Sequence, residues 1–121
     1  MPEYKIRLGK LGEAAVVRWL RRQGGVIVAR NRHYAGGELD IVAWWQERWC
    51  FIEVKTRRQH QDRYGGLEEA VTDAKLERLE VASQAFLQGV APGSAAMDLV
   101  AFVALAANER LSVRFLEINR L

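Results

Sequence analysis

The segment Phe51-Ile52-Glu53-Val54-Lys55 sets a carboxylate and an ammonium two residues apart inside an apolar run. On a β-strand side chains alternate, so Glu53 and Lys55 share one side and Val54 takes the other. Charges in the middle of such a strand are costly to bury, so they must be paired, solvated in a cleft or bound to a ligand. A structural ion pair at a strand end satisfies the same pattern. Upstream, Glu38 and Asp40 also stand two apart, and a hairpin between the two runs can bring Asp40 close to Glu53. Two carboxylates held together repel, and a divalent cation is the usual remedy. Glu38 follows Gly36-Gly37 and has a solvent-exposed alternative, whereas Asp40 leads directly into Ile41 and Val42. A third acid, Glu13, falls beside Val17 and Leu20 when plotted at about 100° per residue, which turns it toward a sheet. The alternative is a frayed helix with Glu13 exposed. Gly9 lies on that same side. A helical glycine costs about 1 kcal/mol relative to alanine, which is tolerable where another backbone must approach closely.

Arg57, Arg58, Arg63 and Tyr64 follow the strand within a polar stretch, residues 57–66, that reads as an exposed loop. A nucleic-acid backbone passing there would meet cations that set affinity and register without reading sequence; a solvated charge run explains the same residues. Lys75 sits in the first turn of a helix, where the positive helix end disfavours a cation. It either turns to the site and meets phosphate or is simply exposed. Trp44, Trp45 and Trp49 flank a turn and are suited to stacking on bases, although cross-strand packing or a contact between two copies in a homodimer is the simpler reading. His33 and His60 have no second ligand at useful spacing, so no zinc site is expected. Asp98 opens a strand and is read as structural, paired with a nearby base.

These residues need a frame. Residues 6–23 read as an amphipathic helix: Arg7, Lys10, Arg18, Arg21 and Arg22 share one sector, and Leu8, Ala15, Val16, Trp19 and Leu20 share the other. Gly24-Gly25 closes it. Residues 26–30, 38–45 and 49–56 have strand character, the last two forming a hairpin around Gln46-Glu47-Arg48. Thr72 is a good N-cap for a second helix that runs to Gly89, with Leu76, Leu79, Ala82 or Ser83, and Phe86 at helical spacing. Residues 96–105 and 111–116 complete the chain as two more strands. Helix, three strands, helix, two strands defines an α/β domain with helices available to cover both sheet faces.

Composition narrows the classes. The 121 residues fit one domain, and half are apolar, enough for a core. The net charge is only +3, but residues 1–32 carry eight basic and two acidic side chains, so the positive field sits at the amino end and suits an anionic partner. The longest apolar run, residues 99–107, is far short of the roughly 20 residues of a membrane span. The first residues lack the apolar core of a signal peptide. One cysteine, Cys50, excludes an intrachain disulfide framework and a multi-cysteine zinc site. A reducing cytoplasm is the expected compartment.

Glu13, Gly37-Glu38-Leu39-Asp40 and Glu53-Val54-Lys55-Thr56-Arg57 together resemble the PD-(D/E)XK nuclease superfamily, in its Holliday-junction-resolvase-like branch. More narrowly, the chain is similar to the YraN-like family of small bacterial proteins. Gly9-x-x-Gly12-Glu13, Arg30-Asn31-Arg32, Tyr64-Gly65, Lys75 and Met97-Asp98 fall in that family's order. The resemblance covers nearly the whole chain and implies a restriction-endonuclease-like α/β fold with a central mixed five-stranded sheet. It also implies a magnesium or manganese ion held by Asp40, Glu53 and the Val54 carbonyl, with Lys55 beside the attacking water and Glu13 as an auxiliary acid. Leu39 stands where the superfamily has proline. The expected activity is metal-dependent hydrolysis of DNA or structured nucleic acid. The rival is a nucleic-acid-binding module that keeps the fold without turnover, and a purely structural adaptor ranks third.

Overall fold

The computed structural model describes residues 3–58 and 71–118. Helix α1 spans Glu3–Arg22; strands β1 (Val26–Tyr34), β2 (Gly37–Trp45) and β3 (Arg48–Arg58) follow; helix α2 is Asp73–Leu87, and β4 (Ala96–Leu105) and β5 (Leu111–Ile118) close the chain. The strands form one sheet in the order β1-β2-β3-β4-β5. All neighbours are antiparallel except β3 and β4, which run parallel. The sheet is therefore mixed, and the one parallel pair is joined through α2, since parallel strands need a crossover.

Each helix covers one face. Ala15, Val16, Val17 and Leu20 of α1 pack on Ile41, Ala43, Cys50, Ile52, Leu99, Ala101 and Val103, alternate residues of three adjacent strands. Leu79 and Ala82 of α2 pack on Leu39, Val42 and Phe51. Burying each large aliphatic side chain contributes about 1.5–3 kcal/mol, so these two layers fix both helices against the sheet. Thr72 caps α2 as its sequence suggests, its hydroxyl accepting the Lys75 N–H at 3.3 Å. The turn between β2 and β3 is only Gln46 and Glu47, both at positive φ (54° and 61°), the geometry of a two-residue hairpin.

Several expectations change at the ends of elements. Strand β1 continues to Tyr34 and so carries Arg30-Asn31-Arg32 within the sheet. Arg57 and Arg58 belong to β3, paired with Ala104 and Leu105, rather than to a loop, because β4 offers a parallel ladder that reaches them. Arg63, Tyr64 and His60 lie outside the described residues. The close approach expected at Gly9 occurs one turn later, at Gly12: a Cβ there would collide with the Thr56 side chain, whereas at Gly9 it would meet open space. The buried Thr56 Oγ1 has no hydrogen-bond partner among the described residues. The tryptophans pack within the chain: Trp44 meets its cross-strand partner Trp49 edge-on at 5.1 Å, and Trp45 meets Trp19 at 5.5 Å. Asp98 is only 1% exposed, and its partner is the Ser83 hydroxyl at 2.6 Å, not a base.

Candidate functional site

The β2–β3 ladder runs from Trp45/Arg48 to Ile41/Ile52 and stops. One residue further, the Asp40 side chain takes over from the backbone: its Oδ2 accepts the Val54 N–H at 2.8 Å. The N–H and C=O of one strand residue point to the same edge, so the Val54 carbonyl also faces the gap between the strands. Beyond this point β3 continues through Arg58 with its β2-side edge unpaired by β2.

Glu53 and Lys55 share a face, as alternation requires, and form an ion pair with Lys55 Nζ 2.8 Å from Glu53 Oε1, each side chain about one-fifth exposed. They open into a cleft of about 220 Å³ bounded by Glu38 and Asp40 on one side and by Lys75, Arg78 and Leu79 of α2 on the other. Gly37 lets α2 come this close, since a Cβ at that position would strike the Arg78 backbone carbonyl. Within the cleft, acids line the β2 side and bases the α2 side.

The electrostatics follow from that crowding. Burial pushes the Asp40 carboxyl up to about 6; the Val54 N–H opposes the rise, and the neighbouring Glu53, Glu13 and Glu38 add to it. Glu13 reaches the same region from α1. Its carboxyl is raised by burial, partly countered by the Arg30 charge and a hydrogen bond from the Asn31 side chain. Lys75 is lowered, chiefly by the Lys55 ammonium beside it. Glu38 is exposed and lies 3.5 Å from His33 Nε2.

The structure thus brings Asp40, Glu53, Val54 and Lys55 together, with Glu13 within electrostatic reach and Lys75 at the rim. Arg57 and Arg58 lie further along β3, and alternation divides them: Arg57 shares the side of Lys55, and Arg58 shares that of Thr56, where it approaches Glu109 at 4.0 Å. Sequence reasoning missed Arg78. Its position three residues after Lys75, on the same helix face, was the available signal. Among the described residues no three metal-ligating side chains are gathered into a cage. Asp40 and Glu53 are two hard oxygen donors in an open cleft, a set that suits a small divalent ion retaining several waters; Asp40 is raised chiefly by burial, and Glu53, Glu13 and Glu38 add smaller repulsions that such an ion would offset.

Fold and site together define a one-sheet α/β domain with a charge-divided cleft where two antiparallel strands part. The chain belongs to the Uncharacterised protein family UPF0102, whose model matches residues 12–118. Relatives in that family include UPF0102 proteins of Shewanella baltica, 38% identical over 81 residues (67% of this chain, 73% of the relative), and of Mycobacterium ulcerans, 41% identical over 103 residues (78% of each). A third, from Renibacterium salmoninarum, is 49% identical over 75 residues, covering 62% of each chain.

Proposed function

We propose that this protein is a metal-dependent nuclease of the PD-(D/E)XK superfamily, resolvase-like, hydrolysing phosphodiester bonds of DNA or structured nucleic acid in the cytoplasm. The observation that carries the reading is the convergence of Asp40, Glu53 and Lys55 in one cleft where the β2–β3 ladder ends. Asp40, Glu53 and the Val54 carbonyl are the groups that would hold magnesium or manganese, which would lower the pKa of a bound water and neutralise charge growing on phosphate. The chain's own residues do the rest. Lys55, a compact point charge, orients the water or meets the developing phosphate charge. Glu53 holds that ammonium in place through their ion pair. Lys75 and Arg78 line the opposite wall and are placed to engage phosphate oxygens. Hydrolysis forms one bond from water oxygen to phosphorus as one ester P–O bond breaks, and Glu13, within electrostatic reach of Asp40, is the auxiliary acid.

The test separates chemistry from binding. A panel of linear, flapped, junction and single-stranded DNA is incubated with magnesium or manganese, and binding is measured in calcium. Wild type is expected to cut at least one substrate, and Lys55→Ala to lose cleavage by a factor of 100 or more while its affinity in calcium stays within about threefold, because the lysine acts more strongly in the transition state than in the ground state. If wild type binds a substrate tightly and cuts none, the binding-module reading replaces this one.

A further inference from the structure

Next to the cleft, the first turns of α1 and the end of β3 enclose a groove of about 510 Å³, lined by Tyr4, Lys5, Leu8, Gly9, Arg57 and Arg58 together with Lys55. Three independent features of the groove point to one occupant. First, it is cationic: Lys5, Lys55, Arg57 and Arg58 line it, with no acidic side chain among the described lining residues; Lys55 is paired with Glu53 at 2.8 Å, and Arg58 approaches Glu109 at 4.0 Å with both side chains largely exposed. Second, Tyr4 stands 59% exposed at its edge and offers a ring face for stacking. Third, Gly9 sits inside α1 with nothing within 4 Å of where its Cβ would be. Gly12 is required by Thr56, but among the described residues no contact requires Gly9. A helix-interior glycine without an internal reason suits the close approach of an external group to the helix backbone.

We infer that this groove binds a single-stranded nucleic-acid segment, with phosphates on Lys5, Arg57 and Arg58, a base stacked on Tyr4, and the strand seated over Gly9. The groove and the acidic cleft share Lys55, and β3 is not covered by β2 between them. A strand leaving the groove therefore passes over the open edge of β3 into the cleft. Stacking platforms beside cations accept unpaired bases of any sequence, whereas a duplex hides its base faces. The substrate class is nucleic acid with an unpaired arm next to the scissile bond, a refinement that rests on the proposed nuclease reading.

The experiment measures affinity in calcium for a short oligothymidylate and for a blunt duplex, using wild type, Tyr4→Ala, Tyr4→Phe and Gly9→Leu, with circular dichroism as the control for folding. Tyr4→Ala is expected to weaken oligothymidylate binding by about tenfold, and Tyr4→Phe to restore it, because only the ring face is used. Duplex affinity should be unchanged in both. Gly9→Leu, which fills the groove floor, should weaken the single strand in the same way. Equal oligothymidylate affinity in wild type, Tyr4→Ala and Gly9→Leu would overturn the groove assignment, while intact duplex binding and cleavage would leave the nuclease reading standing. A wild type that binds neither probe overturns the groove assignment, and cleavage of the flapped and junction substrates then decides the nuclease reading separately.

Discussion

At the scale of single residues, Asp40 carries conflicting demands. Its carboxylate replaces a backbone ladder bond to Val54, which ties it to the fold, yet burial and three neighbouring glutamates lift its pKa to about 6. A charged Asp40 at neutral pH therefore costs folding free energy, the usual condition of a group retained for function rather than stability. Asp40→Asn keeps an acceptor for the Val54 N–H and removes the charge. The variant is expected to melt at the same or higher temperature than wild type at pH 7.5 while its affinity for calcium or manganese, read by calorimetry, drops at least tenfold. Equal metal affinity in the two proteins would remove Asp40 from the ligand set. The residue types here were legible in the sequence because E-x-K and E-x-D spacing is a strand-face signature. Arg78 was not, since its role depends on how near α2 comes to β2, a distance set by Gly37 and invisible to periodicity.

Among the elements, the docking of α1 on β3 decides whether Glu13 reaches the site at all. That docking is set by Gly12, which lies against Thr56, and by the apolar strip Ala15, Val16 and Leu20. The two glycines of α1 should respond in opposite directions. Gly12→Ala forces a methyl into the Thr56 side chain and should destabilise by about 1–3 kcal/mol, the cost of overpacking a tight contact. Gly9→Ala enters open space and should stabilise by up to about 1 kcal/mol through helix propensity. Urea titration of both variants checks this, and a stabilised Gly12→Ala would show that the helix is free to shift. The order of helices and strands was readable from hydrophobic period and turn residues, and the observed helices and strands follow it. Strand ends were not: β1 reaches Tyr34 and β3 reaches Arg58 because neighbouring strands supply ladder partners, a tertiary cause that local propensity does not register. Which glycine met the sheet was likewise a question of helix rotation by one turn.

For the whole molecule, the dependence of stability on pH follows from where the two most perturbed acids among the described residues lie. Asp98 is packed between β4 and α2, and burial raises its pKa from 3.8 to about 6, against the opposing Ser83 hydrogen bond. The Ser83 hydroxyl lies 2.6 Å from Asp98 Oδ1 and 2.8 Å from the Leu79 carbonyl, and its one proton serves one acceptor at a time. When Asp98 is protonated, it donates to Ser83, Ser83 donates to Leu79, and every group is satisfied. When Asp98 is ionised, the Ser83 proton serves the carboxylate, and the Leu79 carbonyl loses its second donor and keeps its helical one. Because its folded pKa exceeds the unfolded value, the native state binds more protons between about pH 4 and pH 6, and stability falls as pH rises through that window. Asp40 and Glu13, both also raised by burial, work in the same direction, so the slope of wild type alone does not isolate the effect. The difference between wild type and Asp98→Asn does, since all other groups cancel. The asparagine can donate to Ser83 at every pH, as the protonated acid does. Asp98→Asn is expected to gain on wild type by roughly 2–3 kcal/mol between pH 4 and pH 7 in urea titrations, with the steepest change near the middle of the window, about pH 5. A difference that stays constant over that range would mean that Asp98 holds its ordinary pKa and that the Ser83 contact is a bond to a carboxylate throughout.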